Sequence, residues 1–254
     1  MTEPKKIVLL GATGSIGENT LQVVRKHPDR LQLVGISAHS NAEKLTQIAT
    51  EFNVPHAYLP EAAGRAENFP SATKLDRSPD GLLSLASLDN ADLVVIAVVG
   101  ASGLSPTLAA LQAGKNIVLA NKESLVLGGD LVMQTAKENQ VKVLPADSEH
   151  NAIFQCIQGE SQRDIDSIIL TASGGPFREL PIEELQHVTI EQALDHPNWS
   201  MGNKVTIDSA TMANKGLELI EARWLFDIPP SKLEVVIHPT SIVHSMVRFI
   251  DGCC

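Results

Sequence analysis

Cysteine is scarce in this sequence, and no apolar stretch is long. The 254 residues include only three cysteines, Cys156, Cys253 and Cys254. These are too few and too unevenly spaced for a disulfide framework or a four-thiolate zinc site. The longest apolar run, residues 93–101, is far too short to span a bilayer, and the first residues resemble neither a signal peptide nor a transit sequence. These features predict a cytoplasmic protein.

Positive charge is also in short supply. Lysine and arginine number 20 against 30 acidic residues, a formal net charge of −10. Because binding to nucleic acid or to anionic lipid requires clustered basic side chains, neither is expected as a partner. Hydrophobic residues make up 43% of the chain, which is enough to bury a substantial core.

Short apolar runs alternate with amphipathic stretches in the first half of the chain. Strands are predicted at 6–10, 31–37, 93–99, 116–120 and 141–145, and helices at 17–27, 42–52, 105–113 and 131–139. This alternation predicts an α/β fold with a Rossmann-like, doubly wound parallel sheet.

After about residue 146 the loops become richer in Gly, Pro, Asn and Ser. Strands are predicted at 167–171, 204–207, 235–237 and 242–249, with one helix at 210–226. We therefore predict two domains, residues 1–146 and 147–254. Because the chain ends soon after a strand, the second is expected to be an incomplete α/β catalytic domain.

The first predicted strand is followed by a glycine-rich turn, Gly11-Ala-Thr-Gly14-Ser-Ile-Gly17, that opens a helix. In that setting, glycines let backbone N–H groups approach a pyrophosphate at the helix N-terminus. The spacing G-x-x-G-x-x-G differs from the usual dinucleotide fingerprint, so a turn without a ligand is the alternative.

The second predicted strand ends in His39-Ser40-Asn41 and carries no acidic residue there. NAD-dependent enzymes usually place Asp or Glu at this point to hold the ribose hydroxyl, and a carboxylate would repel a 2′-phosphate. The segment therefore favours NADP. Alternatively, these residues only form a turn, with Asn41 as the N-cap of the following helix.

Two acidic residues, Asp147 and Glu149, follow the strand predicted at 141–145. In extended backbone, residues i and i+2 project to one face, so the two carboxylates are expected to converge. Oxygen ligands without a cysteine or histidine pattern suit Mg²⁺ or Mn²⁺, and Glu218 is a candidate third ligand. A solvated acidic loop is the alternative interpretation.

The helix predicted at 210–226 strengthens the first interpretation. Asn214, Lys215 and Glu218 fall at helical spacing, so one face or its edge carries amide, ammonium and carboxylate groups. Ser209 and Thr211 are predicted at the helix start, where free N–H groups can accept a phosphate.

Two loops add further candidates. Ser173, in Thr171-Ala-Ser-Gly-Gly-Pro-Phe, follows a predicted strand and could complete a phosphate site. The loop around Trp199 has two large apolar side chains, which predicts a lid over a ligand or, alternatively, a tryptophan that fills the core.

These motifs closely resemble those of the 1-deoxy-D-xylulose 5-phosphate reductoisomerase family, from Lys6 to Gly252. The segments that carry the resemblance are GATGSIG at 11–17, ANKES at 120–124, DSEHNAIFQ at 147–155, TASGGPF at 171–177, HPNWSMGNK at 196–204, DSATMANKGLE at 208–218 and HPTSIVHSMVRFIDG at 238–252.

The resemblance implies specific roles for residues of this chain. NADPH would contact Thr13, Gly14, Ser15, Ile16, His39, Ser40, Asn41, Asn121, Glu123 and Gly202. Mg²⁺ or Mn²⁺, with Co²⁺ as a further candidate, would bind Asp147, Glu149 and Glu218. The sugar-phosphate substrate would contact Lys122, Ser148, Glu149, Ser173, His196, Ser209, Asn214, Lys215 and Glu218. The catalytic group would be Asp147, Glu149, Glu218, Lys122 and His196, and Trp199 and Met201 would belong to the lid. This sequence has His39 and Ser40 where the family has Gly and Lys.

The family rearranges 1-deoxy-D-xylulose 5-phosphate and reduces the product to 2-C-methyl-D-erythritol 4-phosphate, a step of non-mevalonate isoprenoid synthesis. The resemblance implies the same reaction here, in a homodimer. One alternative is a truncated, impaired form that still binds NADPH. Another is an NADP-dependent semialdehyde dehydrogenase, whose thiolate nucleophile could only be Cys156, a residue we expect to be buried and inert.

Overall fold

The computed structural model describes residues 3–64, 68–199 and 201–254. The chain divides into two compact units, Met1–Leu144 and Pro145–Cys254. No helix in the described ranges is both long and apolar enough to cross a membrane. Ser200, within the segment 196–204, lies outside the described residues.

The first unit is built on a seven-stranded sheet. Its strands are β1 (Lys5–Leu10), β2 (Leu31–Ser37), β3 (His56–Tyr58), β4 (Lys74–Asp76), β5 (Leu93–Ile96), β6 (Asn116–Leu119) and β7 (Val143–Pro145). The order across the sheet is β4-β3-β2-β1-β5-β6-β7, and the pairs from β4 to β6 are parallel. This confirms the predicted Rossmann-like fold class. The strand order reverses between β1 and β5, which is where such sheets bind ligands.

Helices connect the parallel strands of this sheet. They are α1 (Ser15–Lys26), α2 (Ala42–Glu51), α3 (Gly81–Ala86), α4 (Leu104–Gln112) and α5 (Lys122–Glu138), the last kinked at Gly128. The core between sheet and helices includes Leu9, Leu21, Ile36 and Leu45, all fully buried. Burial of these side chains supplies the main favourable free energy of this unit.

The second unit contains a three-stranded sheet in the order β10-β8-β9. Strand β8 (Ile165–Ala172) lies in the middle, antiparallel to β10 (Ser245–Phe249) and parallel to β9 (Leu233–Ile237). Its helices are α6 (Ser148–Cys156), α7 (Ile190–Leu194), α8 (Asn203–Ala210) and α9 (Ala213–Leu225). Side chains from α6, α9 and the sheet form one apolar core around Ile153, Ile168 and Ala222.

The strand predicted at 204–207 is wrong, because these residues lie within α8. Two contacts at helical spacing favour the helix over the β propensity of the sequence. Lys204 and Asp208 form an ion pair of 2.6 Å, and the Thr206 hydroxyl donates to the Gly202 carbonyl at 3.1 Å. The strand predicted at 242–249 begins only at Ser245.

The helix predicted at 210–226 also starts later than expected. Met212 has φ +63°, a left-handed conformation that an α-helix cannot continue through, so α8 ends at Ala210 and α9 begins at Ala213. Ser209 therefore lies in the last turn of α8, and Thr211 follows that helix. The prediction that both residues stand at the N-terminus of a helix is wrong.

Candidate active site

Two glycines give the turn after β1 its shape. Gly11 has φ +87°, and a Cβ atom there would lie 2.5 Å from the Ala97 carbonyl oxygen. At Gly17, a Cβ atom would lie 2.4 Å from the Gly11 carbonyl oxygen. Any larger residue at either position would collide with backbone, so both glycines are required by packing.

Gly14 is different, since a Cβ atom there would come no closer than 3.6 Å to another atom. The residue is exposed, and it is the N-cap of α1 with φ −84°. Among the described residues, no side chain caps this helix end. The Gly14 N–H donates to the Gly11 carbonyl at 3.2 Å, so the exposed tip offers the backbone N–H groups of Ser15 and Ile16, with the positive end of the helix dipole, to an anion.

The segment that follows β2 lies beside this turn. His39, Ser40 and Asn41 are exposed, and the Asn41 side-chain oxygen accepts from the Lys44 backbone N–H at 3.0 Å. Asn41 is thus the N-cap of α2, as the alternative interpretation predicted. Its amide nitrogen can still act as a donor, because the cap uses only the oxygen.

Lys44 adds a positive charge next to the glycine turn, which the sequence patterns did not single out. Its Nζ lies 3.5 Å from the Thr13 carbonyl oxygen and 3.1 Å from Glu18. Hydrogen bonds from Lys44 and then Arg25 lower the pKa of the Glu18 carboxyl. The Lys44 ammonium group therefore lies beside the turn, and the Glu18 carboxylate offsets its positive charge.

Asn121 is buried and serves as a cross-link after β6. Its amide nitrogen donates to the carbonyl oxygens of Val98 and Gly100, both at 2.9 Å, while its oxygen accepts from the Ser124 backbone N–H. This residue caps α5 and holds the loop after β5. Lys122 is also buried, and Glu123 is half-buried and accepts from the Asn121 amide at 3.1 Å.

In the second unit, three acidic side chains meet. One carboxylate oxygen from each of Asp147, Glu149 and Glu218 lies within 4.8 Å of those of the other two. The reasoning from extended backbone was wrong, because Asp147 is the N-cap of α6 and Glu149 lies in the first turn of that helix. Glu218 comes from α9 and is almost fully buried.

Polar side chains hold these carboxylates in place. Lys215 donates to Glu149 at 3.0 Å and also to Glu218, so one ammonium group bridges two of the acids. Asn214 donates to the other oxygen of Glu218 at 2.5 Å. The Ser148 hydroxyl donates to Glu149 at 2.7 Å, and its backbone N–H donates to Asp147 at 2.9 Å.

A second group behind the acids was missed by the sequence analysis as a unit. His150 and Glu221 are fully buried, and Asp147, His150 and Glu221 also bring their ligand atoms within 4.8 Å of one another. The available signal was the spacing of Glu218 and Glu221, which are three positions apart on one helix and therefore lie next to each other on the same face.

Ser173 and His196 form a further polar pair at the end of β8. The His196 Nδ1 accepts backbone N–H groups of Asn198 at 3.2 Å and Trp199 at 3.1 Å, so the proton must reside on Nε2. Nε2 then donates to the Ser173 hydroxyl oxygen at 2.9 Å, which leaves the hydroxyl proton for another acceptor. Burial, and secondarily the charge of Arg178, lower the pKa of His196.

Gly175 brings this loop against the end of α8. Its φ is +70°, and a Cβ atom there would lie 2.4 Å from the Ser209 carbonyl oxygen. The close approach places the loop after Ser173 beside Ser209. Three of the residues predicted to hold a phosphate, Ser173, His196 and Ser209, are therefore neighbours.

The structure exposes two side chains, Trp199 and Cys156, for which burial was one of the predictions. Trp199 is 46% exposed, which excludes the interpretation that it fills the core, and its ring lies 6.3 Å from that of His244. Cys156 is exposed at the carboxyl end of α6, so the expectation of a buried thiol is wrong. Met201 is half-buried, and Gly202 is the exposed N-cap of α8.

Comparison with known proteins covers nearly the whole chain. Residues 7–129 match the family model of 1-deoxy-D-xylulose 5-phosphate reductoisomerase, and residues 143–226 match the model of its C-terminal domain. The reductoisomerases of Geobacter metallireducens and Clostridium novyi are each 51% identical over 98% of this chain. The chain spans 66% of the length of these relatives.

Solved structures give the same result. A reductoisomerase crystallised with NADPH, fosmidomycin and magnesium is 45% identical, with a TM-score of 0.92 over 98% of this chain and 65% of that one. The enzyme from Zymomonas mobilis in complex with NADPH is 42% identical, with a TM-score of 0.89 over the same shares.

Proposed function

The chain belongs to the 1-deoxy-D-xylulose 5-phosphate reductoisomerase family, and from this we propose that it takes part in the NADPH- and divalent-metal-dependent conversion of 1-deoxy-D-xylulose 5-phosphate to 2-C-methyl-D-erythritol 4-phosphate. The first unit would bind NADPH and the second the metal and the sugar phosphate. A dehydrogenase that uses Cys156 is not favoured, since the relatives are reductoisomerases.

The acidic cluster carries this proposal. Asp147, Glu149 and Glu218 offer three hard oxygen ligands from two helices, which is the ligand chemistry of Mg²⁺ and Mn²⁺. A divalent ion at this position would polarise the substrate carbonyl and lower the proton affinity of its hydroxyls. The related structures crystallised with magnesium support the assignment to such an ion.

The glycine turn supports the cofactor. Ser15 and Ile16 would donate backbone N–H groups to the pyrophosphate at the start of α1, and Thr13 would add its hydroxyl. Gly14 would let the backbone come close to the pyrophosphate, since its own N–H donates to the Gly11 carbonyl at 3.2 Å. Ser40, His39 and the free amide nitrogen of Asn41 would face the 2′-phosphate. NADPH would supply the hydride for the reduction step. We assign Asn121 to holding the loop that lines this site, and Glu123 to its lining.

The substrate phosphate would lie among Ser173, His196, Ser209 and Asn214. The His196 tautomer leaves the Ser173 hydroxyl as a donor, which is what a phosphate oxygen requires. Lys215 and Ser148 would contact the rest of the sugar phosphate. Binding energy from the phosphate would hold the reacting carbons in place and close the loop of Trp199 and Met201 over them, excluding water.

The test is a pair of variants with the same chemical change. Glu218→Gln should abolish NADPH oxidation with 1-deoxy-D-xylulose 5-phosphate and Mg²⁺, and it should weaken Mn²⁺ binding, measured by electron paramagnetic resonance. NADPH affinity should not change, because Glu218 lies in the other unit. Glu179→Gln, at a side chain that is 87% exposed, is the control and should behave like the unchanged protein. Metal-independent turnover, or full Mn²⁺ affinity in Glu218→Gln, would refute the proposed site.

Location and assembly are further proposals. We propose that the protein acts in the cytoplasm, which its three free, exposed thiols support. We propose a homodimer as its assembly, which light scattering after size exclusion would test.

A further inference from the structure

His150 and Glu221 form a buried pair beneath the acidic cluster. The His150 Nε2 lies 2.9 Å from the backbone carbonyl oxygen of Glu218. Because a carbonyl only accepts, Nε2 must carry a proton. The other ring nitrogen, Nδ1, lies 3.6 Å from a Glu221 carboxylate oxygen and 4.0 Å from Asp147.

The pair joins the two helices that carry the acids. His150 lies on α6, one residue after Glu149, while Glu221 lies on α9, one turn after Glu218. The imidazole thus contacts the backbone of one acid and faces the side chain of another. Its ring also stacks on Phe226, which follows α9, at 6.2 Å between centroids and 10° between planes. The orientation of His150 is therefore determined from several sides.

Stability alone is a weak reason for such a pair. Removing two ionisable groups from water is costly, and apolar side chains of similar size usually stabilise a core as well or better. The same position on α9 could be filled by an apolar residue like its neighbours in the core of this unit. What this pair adds is a specific geometry, because the hydrogen bond from Nε2 to the Glu218 carbonyl and the carboxylate that faces Nδ1 restrict the direction of the ring as well as its distance.

We propose that Glu221 and His150 are positioning residues for the divalent-cation site. Glu221 orients His150, and His150 fixes the distance between α6 and α9 at the level of Asp147 and Glu218. This inference rests on the proposed function, since it concerns the ion assigned to that site. Neither residue contacts substrate in this proposal.

Two conservative variants separate positioning from charge. Glu221→Asp keeps the negative charge but withdraws the carboxylate by one methylene group. Glu221→Gln keeps the length and an oxygen that can face Nδ1, but it loses the charge. If position matters, Glu221→Asp should weaken Mn²⁺ binding about 10–100-fold, the usual effect of changing an outer-shell partner, while Glu221→Gln stays close to the unchanged protein.

The measurement is Mn²⁺ binding by electron paramagnetic resonance without substrate or NADPH, together with a melting curve of each variant. Glu179→Asp and Glu179→Gln are the matched controls on an exposed side chain. Unchanged Mn²⁺ affinity in Glu221→Asp would overturn the proposal, and so would a greater loss in Glu221→Gln than in Glu221→Asp, which indicates a simple charge effect. If a variant fails to melt cooperatively, His150→Asn, which retains an Nδ1-like group but not the contact to Glu218, should show the same loss of Mn²⁺ affinity.

Glu218→Gln distinguishes failure of this inference from failure of the proposed function. Loss of Mn²⁺ binding in Glu218→Gln with full binding in both Glu221 variants would leave the metal site intact and refute only the positioning role. Full binding in Glu218→Gln would refute the site itself.

Discussion

Gly14 and Gly17 lie on the same turn, yet the structure predicts opposite consequences when alanine replaces them. At Gly14 the new methyl group meets nothing closer than 3.6 Å, and φ −84° suits any residue. Alanine is a poorer N-cap than glycine by about 0.5–1 kcal/mol. It also restricts the unfolded chain, which stabilises by about 0.4–1 kcal/mol. The two effects nearly cancel, so the melting temperature of Gly14→Ala should hardly change.

NADPH binding should nevertheless suffer in Gly14→Ala. The methyl group would project from the exposed tip where the backbone must approach the pyrophosphate. Losing one N–H bond to a charged phosphate oxygen costs about 1.5–3 kcal/mol, which is roughly a 10–100-fold weaker affinity.

In Gly17→Ala the new methyl group would lie 2.4 Å and 2.5 Å from two backbone carbonyl oxygens. Neither atom can move without distorting the turn, and overpacking of this kind costs about 1–3 kcal/mol or more. At roughly 2–4 °C per kcal/mol, the melting temperature should fall by several degrees.

Thermal melting and NADPH fluorescence titration of both variants test this reasoning. The expected pattern is a stable Gly14→Ala protein that binds NADPH weakly and a destabilised Gly17→Ala protein. Undiminished NADPH affinity in a folded Gly14→Ala variant would refute the assignment of the pyrophosphate to this turn. A loss of stability at Gly14 equal to that at Gly17 would refute the packing analysis.

Two further predictions concern charge. Ser40→Asp should reduce the preference for NADPH over NADH by about tenfold or more, since a repulsion of only about 1.4 kcal/mol between the carboxylate and the 2′-phosphate has that effect. Ser40→Asn, which adds no charge, should keep the preference. If the ratio of the dissociation constants for NADH and NADPH is the same in both variants, this prediction is wrong. Because the pKa of His196 is lowered from 6.5, the unfolded state binds more protons just below that pH, so stability should fall as the pH drops through the window between 6.5 and the lowered value. The loss should be smaller in His196→Asn, which retains an acceptor for the Asn198 and Trp199 N–H groups, and melting curves that fall equally in both proteins would exclude His196 as the cause.

The first unit was largely predictable because its signals are local. Long apolar strands such as β1 and β2 alternate with amphipathic helices, and the glycine turn indicates where the first strand passes into the first helix. Strands β3 and β4 were not predicted, since each has only three residues and most of these residues are only half-buried. They are specified by pairing with a neighbouring strand, which a local pattern does not contain.

The second unit shows where local patterns are ambiguous. Val205-Thr-Ile207 reads as a strand by propensity, although Lys204 and Asp208 are spaced for an ion pair on a helix. For the acids, the residues were predicted but not their geometry, because Asp147 caps a helix that periodicity alone did not distinguish from an extended segment. The partnership of His150 with Glu221 depends on the packing of α6 against α9, 71 positions apart along the chain.

The ammonium group of Lys215, which bridges two of the carboxylates, links the binding of a cation to the binding of an anionic ligand. Three carboxylates and one ammonium group leave two formal negative charges in the cluster, the number that one divalent cation neutralises. An incoming cation must compete with that ammonium for Glu149 and Glu218, so its arrival releases a lysine with a full positive charge from both partners. Uptake of the cation and attraction of an anionic ligand are then linked reciprocally: each makes the other more favourable.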